Sequence, residues 1–162
     1  MDDILQLWND PLVLPSATSD TVVPHSPKFK DVLRETFEKA AIWVIITLKE
    51  TGEFMGYSCI HIIMPKNRNG MFGVCLLPQY WDKGYGTEAS KFVVDHSFRW
   101  LNLHRVSLDV HGDNPRAIAV YQKLGFVVEG RIREAVWKDN VWVDNLSMGV
   151  LRTEWAAQHW KK

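Results

Sequence analysis

The chain has 162 residues, of which 46% are hydrophobic, and its 19 Lys plus Arg balance 19 Asp plus Glu. This length and composition predict a single globular domain over residues 1–162, with an irregular segment at 1–30 and a core at 41–155. The balanced charge argues against a nucleic-acid partner, and no apolar run reaches the length of a membrane span. Cys59 and Cys75 lie in apolar, strand-like runs. They favour buried free thiols and, weakly, a cytoplasmic location.

The first half of the chain predicts helices followed by three strands. A short helical stretch at residues 5–8 precedes a segment that four prolines interrupt. Residues 28–40 have helical spacing. The residues predicted to share one face of that helix are Val32, Leu33, Thr36 and Phe37. Apolar and β-branched runs at 41–49, 54–64 and 71–77 then predict three strands of an antiparallel meander.

The segment CLLPQYWDKGYGTEA, residues 75–89, predicts an anion-binding junction. An apolar strand leads through a loop with two glycines into a helix, so main-chain N–H groups converge at the positive end of the helix dipole. A phosphate is the natural ligand. A P-loop is excluded because Lys83 precedes Gly84 and Tyr85 follows it. A dinucleotide-binding loop carries little weight because that motif normally follows the first strand of a parallel sheet.

The second half predicts a strand–helix–strand unit and a hairpin. A long helix runs from the glycine loop to about residue 101, with Ala89, Phe92, Val93, His96 and Trp100 at helical spacing, and a strand follows at 104–111. Asn114 and Pro115 predict a helix start, and Gly125 predicts its end. Strands at 126–137 and 141–151 flank a polar turn. Together these elements predict a mixed α/β sheet.

Two blocks in this order resemble the GCN5-related N-acetyltransferase (GNAT) superfamily. WDKGYG at 81–86 resembles the acetyl-CoA loop pattern Arg/Gln-x-x-Gly-x-Gly/Ala, with Trp81 in place of the usual Arg or Gln. NPRAIAVYQKLGF at 114–126 resembles the second block. The continuation through EGRIRE at 129–134 is similar to the ribosomal-protein N-terminal, diamine and amino-acid acetyltransferases. The resemblance implies one GNAT-type N-acetyltransferase domain of the α/β (mixed α+β) class, with a mostly antiparallel sheet flanked by helices.

The resemblance also implies the reaction. Acetyl-CoA is the co-substrate, and a primary amine of a small molecule or a peptide N-terminus attacks its thioester directly. The alternative is a non-catalytic CoA-binding sensor or scaffold. Met71 motivates that alternative because many relatives carry a glutamate base at its position.

The resemblance assigns the cofactor site to the loop and to two flanking elements. Main-chain groups at Leu76 and Leu77 hold the pantetheine arm and polarise the thioester, and Asn114 contacts the same arm. The remaining cofactor-binding residues are Lys83, Gly84, Tyr85, Gly86, Thr87 and Lys123. No metal site is predicted because His61 and the other histidines lack metal-ligand spacing.

The resemblance assigns the catalytic roles to residues on the strand at 104–111 and on the helix after it. Tyr121 is the candidate general acid that returns a proton to the CoA thiolate, and a buried structural tyrosine is the alternative. Asp109 is the favoured general base, with His111 second on the same strand face. A structural hydrogen bond is an equal alternative for Asp109. Asp144 and Glu134 are candidates for binding a cationic acceptor.

The N-terminal region departs from the family pattern. Family members begin with a strand that pairs with the edge of the meander, whereas this chain opens on the helix-like residues 5–8. The first strand is therefore either missing or replaced by the proline-rich segment 12–23. An exposed edge strand, or a segment exchanged with a second copy in a homodimer, follows from this.

Overall fold

A computed structural model describes residues 1–160 and places a six-stranded sheet at the centre, in the order β1-β2-β3-β4-β6-β5. The strands are β1 (Ile42–Thr47), β2 (Phe54–Met64), β3 (Asn69–Leu76), β4 (Arg105–His111), β5 (Val127–Lys138) and β6 (Val141–Leu151). Among the strand pairs of residues 1–160, only β3–β4 is parallel. The predicted mixed, mostly antiparallel sheet is confirmed.

Helices cover both faces of this sheet. They are α1 (Asp2–Trp8), α2 (Leu14–Ala17), α3 (Phe29–Glu38), α4 (Tyr85–Trp100), α5 (Pro115–Leu124) and α6 (Arg152–His159). Within residues 1–160, none of the helices combines the length and the apolar character that a membrane span requires.

The N-terminal forty residues contain helices α1 to α3 and no strand. The proline-rich segment 12–23, which the sequence offered as a replacement for the first family strand, contains α2 instead. Strand β1 pairs only with β2, so it forms one edge of the described sheet. The other edge is β5.

In two of the predicted helices, the residues that are buried differ from those that the helical spacing in the sequence predicts to share a face. In α3, Leu33 and Phe37 are buried, whereas Val32 and Thr36 are exposed because the helix contacts the sheet through a narrow i, i+4 stripe. In α4, the residues that face the sheet are Ser90, Val93, Val94, Ser97 and Phe98. Two buried serines bring this helix close to the sheet, and the larger aromatic residues Phe92 (63% exposed) and Trp100 (74% exposed) point outward.

The core has two main layers, one on each face of the sheet. Helices α4, α5 and α6 bury Val93, Phe98, Leu124 and Trp155 against one face. Helices α1 and α3 bury a second cluster, which includes Cys59, against the other face. Alternate residues of a strand point to opposite faces. Leu108 and Val110 of β4 belong to the first layer. Asp109 and His111 alternate with them along the strand, so both point toward the face that carries α1 to α3.

Candidate active site

The parallel strands β3 and β4 separate along most of their length. They pair only from Asn69 to Met71 and from Arg105 to Ser107. Further along, β3 remains paired with β2 as far as Leu76, and β4 remains paired with β6 as far as His111. The facing edges of residues 72–76 and 108–111 therefore have no strand partner. We call this gap the β3–β4 opening, and an extended ligand can enter it and bind main-chain groups.

Leu76 and Leu77 differ in the main-chain groups that they offer to this opening. Leu77 N–H donates to the Met55 carbonyl at 2.8 Å, and the Leu77 carbonyl accepts from Tyr80 N–H at 3.0 Å. Because antiparallel ladders alternate, the main-chain groups of Leu76 point away from β2 and toward the opening. The Leu76 carbonyl accepts the Trp81 indole N–H at 2.8 Å. Leu76 N–H is thus a donor left for a ligand, whereas both main-chain groups of Leu77 already have a partner within the chain.

The glycine loop lies at the outer end of the β3–β4 opening. Asp82 (φ 58°) and Gly84 (φ 87°) both have left-handed backbone conformations, and α4 begins directly after Gly84. No side chain caps this helix, so the N–H groups of its first turn remain available to an anion. A Cβ added at Gly84 would meet no heavy atom within 4 Å, and one at Gly86 would meet only Leu76 Cδ1, at 3.6 Å. The space outside the loop is open, which fits the predicted diphosphate site formed by 83–87.

Helix α5 starts beside this loop, and its first turn contacts loop side chains. The Arg116 guanidinium carbon lies 4.1 Å from the centre of the Trp81 ring, and Arg116 Nε lies 3.2 Å from Asp82 Oδ1. Arg116 stands inside the NPRAIA block but is not among the residues predicted from the sequence to bind the cofactor. No sequence signal joins positions 81 and 116, because they meet only after α4 and β4 have folded.

Asn114 caps α5, as predicted. Its Oδ1 accepts the N–H of Ala117 at 3.2 Å. The side-chain oxygen is therefore occupied, and any contact with a ligand falls to the NH2 group. Lys123 is exposed near the other end of the helix, where its carbonyl accepts from Gln158 Nε2 at 3.2 Å.

Tyr121 lies two turns along α5, beside the inner part of the opening. Its ring is 6.2 Å from Phe72 and 5.9 Å from Phe126 between centroids, and Phe72 is the first residue of β3 beyond the last β3–β4 pair. Burial raises the pKa of the Tyr121 phenol above its ordinary value near 10, and the neighbouring Cys75 thiol adds a smaller increase. The phenol is therefore protonated at neutral pH, as a proton donor must be.

Both cysteines are free, as predicted. Burial raises the pKa of Cys59 to about 11 and that of Cys75 to about 12. The thiolate is the nucleophilic form of cysteine, and it is scarce at neutral pH in both residues. Neither cysteine is suited to carry an acetyl group during the reaction.

The two candidate bases lie on β4 and point to the face of the sheet opposite the one that Tyr121 packs against. Asp109 is exposed and accepts the Ser147 hydroxyl hydrogen at 3.0 Å, so the structural contact foreseen as an alternative is present. His111 is 6% exposed, and its Nε2 lies 3.1 Å from Ser19 Oγ. Burial lowers the pKa of His111 below 6.5, and Lys138 reinforces the effect. A neutral imidazole can accept a proton at pH 7.

Of the other predicted acidic residues, Asp144 contacts β5 through its carboxylate, whereas the Glu134 side chain is exposed. Asp144 accepts the main-chain N–H of Glu134 at 2.9 Å and the Arg131 guanidinium at 2.8 Å. These hydrogen bonds lower the pKa of Asp144. Each of its carboxylate oxygens thus accepts one hydrogen bond from β5. Met71 belongs to the last β3–β4 pair, at the closed end of the opening, where its thioether cannot act as a base.

Comparison with known proteins identifies the family. Residues 1–127 match the family described as acetyltransferase (GNAT) domain. Spermidine N(1)-acetyltransferase of Escherichia coli K12 is 32% identical over 93 residues, which cover 57% of this chain and 50% of that protein. The N-acetyltransferase p20 of Bacillus licheniformis, described as uncharacterized, is 28% identical over 159 residues, covering 96% of this chain and 89% of that protein. The chain thus spans about half the length of the spermidine acetyltransferase that it matches.

Solved structures share the fold. The spermidine N-acetyltransferase of Vibrio cholerae in complex with CoA and spermine superposes with a TM-score of 0.81 at 21% identity, covering 93% of this chain and 89% of that one. A GNAT-family acetyltransferase from Bacillus anthracis superposes with a TM-score of 0.79 at 20% identity, covering 94% of this chain and 89% of that chain. The family match extends over the glycine loop and the NPRAIAVYQKLGF block, the two features on which the resemblance rested. The chain belongs to the GNAT family of acetyltransferase domains.

Proposed function

We propose that this protein is an acetyl-CoA-dependent N-acetyltransferase that transfers an acetyl group directly to a primary amine. The observation that carries the proposal is the β3–β4 opening, with an uncapped helix start at its outer end and a buried, protonated tyrosine at its inner end. Family membership supports it, as do relatives that are named spermidine N-acetyltransferases.

The loop and the opening provide the binding groups for acetyl-CoA. Main-chain N–H groups of residues 83–87 receive the diphosphate at the start of α4. The pantetheine arm follows the unpaired edge of β3, where Leu76 N–H faces the opening, and the Asn114 NH2 contacts it from α5. This placement brings the thioester toward Phe72 and Tyr121.

The transfer step needs one proton donor and one proton acceptor. The amine nitrogen attacks the acetyl carbonyl carbon, the carbon–sulfur bond breaks, and Tyr121 donates its proton to the departing thiolate. The amine must lose a proton to become a nucleophile and lose another after attack. Asp109 is the base that the family resemblance favours, and His111 is the second candidate because its lowered pKa leaves it neutral.

The acceptor is a small primary amine in this proposal. Polyamines come first because relatives are named for spermidine and one solved relative contains spermine. The exposed carboxylate of Asp109 on β4 suits a cationic amine. A peptide N-terminus is the second acceptor class. A homodimer that covers the β1 edge and a cytoplasmic location remain predictions from the sequence.

A panel of amines tests the proposal. The purified protein is mixed with acetyl-CoA and, separately, with polyamines, amino acids and short peptides, and the free CoA thiol is followed over time. We expect thiol release that depends on at least one amine, together with calorimetric binding of CoA. CoA binding without release for any amine would favour the sensor or scaffold alternative, and no CoA binding at all would refute the site.

A further inference from the structure

The glycine loop lacks the side chain that the family pattern places at its first position. Trp81 stands where an Arg or Gln is usual, and its indole N–H, the one donor of the side chain, is already bonded to the Leu76 carbonyl at 2.8 Å. Within residues 81–86 the basic side chain is Lys83, and the neighbouring Asp82 opposes its charge. The loop therefore needs a cation from elsewhere if it is to bind several phosphates.

Arg116 brings a guanidinium to this position from α5. The Trp81 ring is fixed by its hydrogen bond to the end of β3, and it presents a face to the guanidinium carbon of Arg116 at 4.1 Å. Arginine stacks favourably on tryptophan, and its planar group then presents N–H donors in a defined direction. Trp81 thus replaces the missing charge indirectly, by orienting an arginine that is 35 positions away in the sequence.

The placement of Arg116 is unfavourable unless an anion is present. It is the second residue of α5, next to the positive end of the helix dipole, and no acidic residue occupies that first turn. Asp82 offsets part of this repulsion, but the pair is exposed, with 45% of the arginine and 71% of the aspartate side chain accessible. Exposed pairs of this kind contribute little. The closest approach of the pair is at Nε, 3.2 Å from Asp82 Oδ1.

We propose that Arg116 binds a phosphate group of coenzyme A and supplies the positive charge that position 81 lacks. Trp81 orients the guanidinium, and Asp82 holds its Nε. The diphosphate and the 3′-phosphate are the two sources of this phosphate chemistry within the same ligand. This inference rests on the proposed acetyl-CoA site.

Calorimetric dissociation constants for CoA test the role of Arg116. Arg116→Gln is expected to weaken CoA binding by about 10- to 100-fold at low salt, the range for a lost charge-assisted hydrogen bond. Arg116→Lys keeps the charge but not the planar stack, so it should recover part of the affinity. The loss in Arg116→Gln should shrink at high NaCl because the interaction is electrostatic.

Arg99→Gln is the matched control. Arg99 also lies over a tryptophan ring, at 4.4 Å from the centroid of Trp160, and pairs with an aspartate, but it stands in the last turn of α4, at the opposite end of the helix from the loop. Its substitution should leave CoA affinity unchanged. Dephospho-CoA separates the two phosphate sources: if the effect of Arg116→Gln disappears with this ligand, the contact is with the 3′-phosphate, and if it persists, the contact is with the diphosphate.

Two results would overturn the inference. One is equal CoA affinity in the wild type and Arg116→Gln at low salt. The other is a loss that salt does not change and that Arg116→Lys does not repair, since this pattern would indicate a purely structural role. Failure of the acetyl-CoA site itself would look different, because the wild-type protein would then bind no CoA.

Discussion

Burial determines the protonation of the side chains around the β3–β4 opening. It raises the pKa values of Tyr121 and Cys75 and lowers that of His111, so all three are neutral at pH 7. A neutral phenol can donate a proton, and a neutral imidazole can accept one. The same burial makes the thiol unreactive, which favours direct attack by the amine over an acetyl-cysteine intermediate.

Replacement of Tyr121 by phenylalanine tests the proton donor. Tyr121→Phe should lower kcat by about 100-fold or more, the effect expected for loss of a general acid, while the KM for acetyl-CoA stays nearly unchanged. The ring remains, so its packing against Phe72 and Phe126 is preserved. Steady-state thiol release measures both constants.

Tyr57→Phe provides the control for this substitution. Tyr57 is also buried, at 7% exposure, and its hydroxyl accepts the Trp8 indole N–H at 3.2 Å on the other side of the sheet. This variant should lose a little stability and keep its turnover. A loss of acetyl-CoA affinity in Tyr121→Phe as large as its loss of turnover would show that Tyr121 has a structural role instead.

The junction between β3 and α4 is the element that binds the diphosphate in this proposal. Its two glycines have different physical requirements. Gly84 has φ 87°, a conformation that favours glycine, whereas Gly86 lies inside the first turn of the helix. Their substitution by alanine should therefore have opposite effects on stability.

Alanine at each glycine tests the loop. Gly84→Ala should lower the free energy of unfolding by roughly 1–2 kcal/mol, because a Cβ is strained at positive φ. Gly86→Ala should raise it by about 0.5–1 kcal/mol through helix propensity, since the new Cβ meets only Leu76 Cδ1, at 3.6 Å. Gly84→Ala should also greatly weaken CoA binding, because the Cβ enters the space of the diphosphate, whereas Gly86→Ala should bind CoA nearly as well as the wild type, because the family pattern allows alanine at this position. Urea unfolding without ligand and calorimetry with CoA measure the two effects.

Gly52→Ala controls for backbone strain alone. Gly52 has φ 74°, has no atom within 4 Å of an added Cβ, and lies in the turn between β1 and β2. The Gly52→Ala variant should lose about as much free energy of unfolding as Gly84→Ala does, and it should bind CoA with wild-type affinity. Wild-type CoA affinity in Gly84→Ala would place the diphosphate somewhere other than this loop.

At the scale of the whole molecule, one carboxylate joins the C-terminal residues to α4. Asp95 accepts the indole N–H of Trp155 at 2.9 Å, the indole N–H of Trp160, and Arg99 Nε at 2.6 Å. Trp155 is fully buried against Phe98 of α4. Partial burial alone would raise the pKa of Asp95, but these hydrogen bonds outweigh it and lower the pKa below 3.8.

Asp95→Asn tests this network through the pH dependence of stability. A carboxylate with a lowered folded pKa stabilises the protein above its unfolded pKa of 3.8 and loses this contribution as the pH falls through the folded value. The variant should be less stable near neutral pH by about 1–2 kcal/mol. The difference in the free energy of unfolding between the variant and the wild type should become smaller as the pH falls below 3.8. Urea unfolding across this pH range measures both.

Asp31→Asn is the comparison for Asp95→Asn. Asp31 pairs with Arg34 at 2.9 Å, but its side chain is 77% exposed, so its removal should change stability little at any pH. A constant difference between Asp95→Asn and the wild type down to pH values well below 3.8 would contradict the assigned role of the charge.

Local features of the chain determined much of this protein before any tertiary contact. The apolar run at 54–64 became β2 with the predicted bounds, Asn114 became the cap of α5, and Gly84 took the conformation that lets a loop enter a helix. The two GNAT blocks identified the family because both are short and contiguous. Patterns of this kind depend on neighbours within a few residues, which the sequence displays directly.

Tertiary structure decided which groups meet and which remain free. It separated β3 from β4, occupied the main chain of Leu77, paired Asp144 with Arg131, and placed Arg116 over Trp81. It also chose the buried face of α4, leaving Phe92 and Trp100 outside although both are large and apolar. Helical spacing gives the faces of a helix but not the one that meets the sheet. That choice, like every contact between residues far apart in the chain, depends on how complete elements pack against one another.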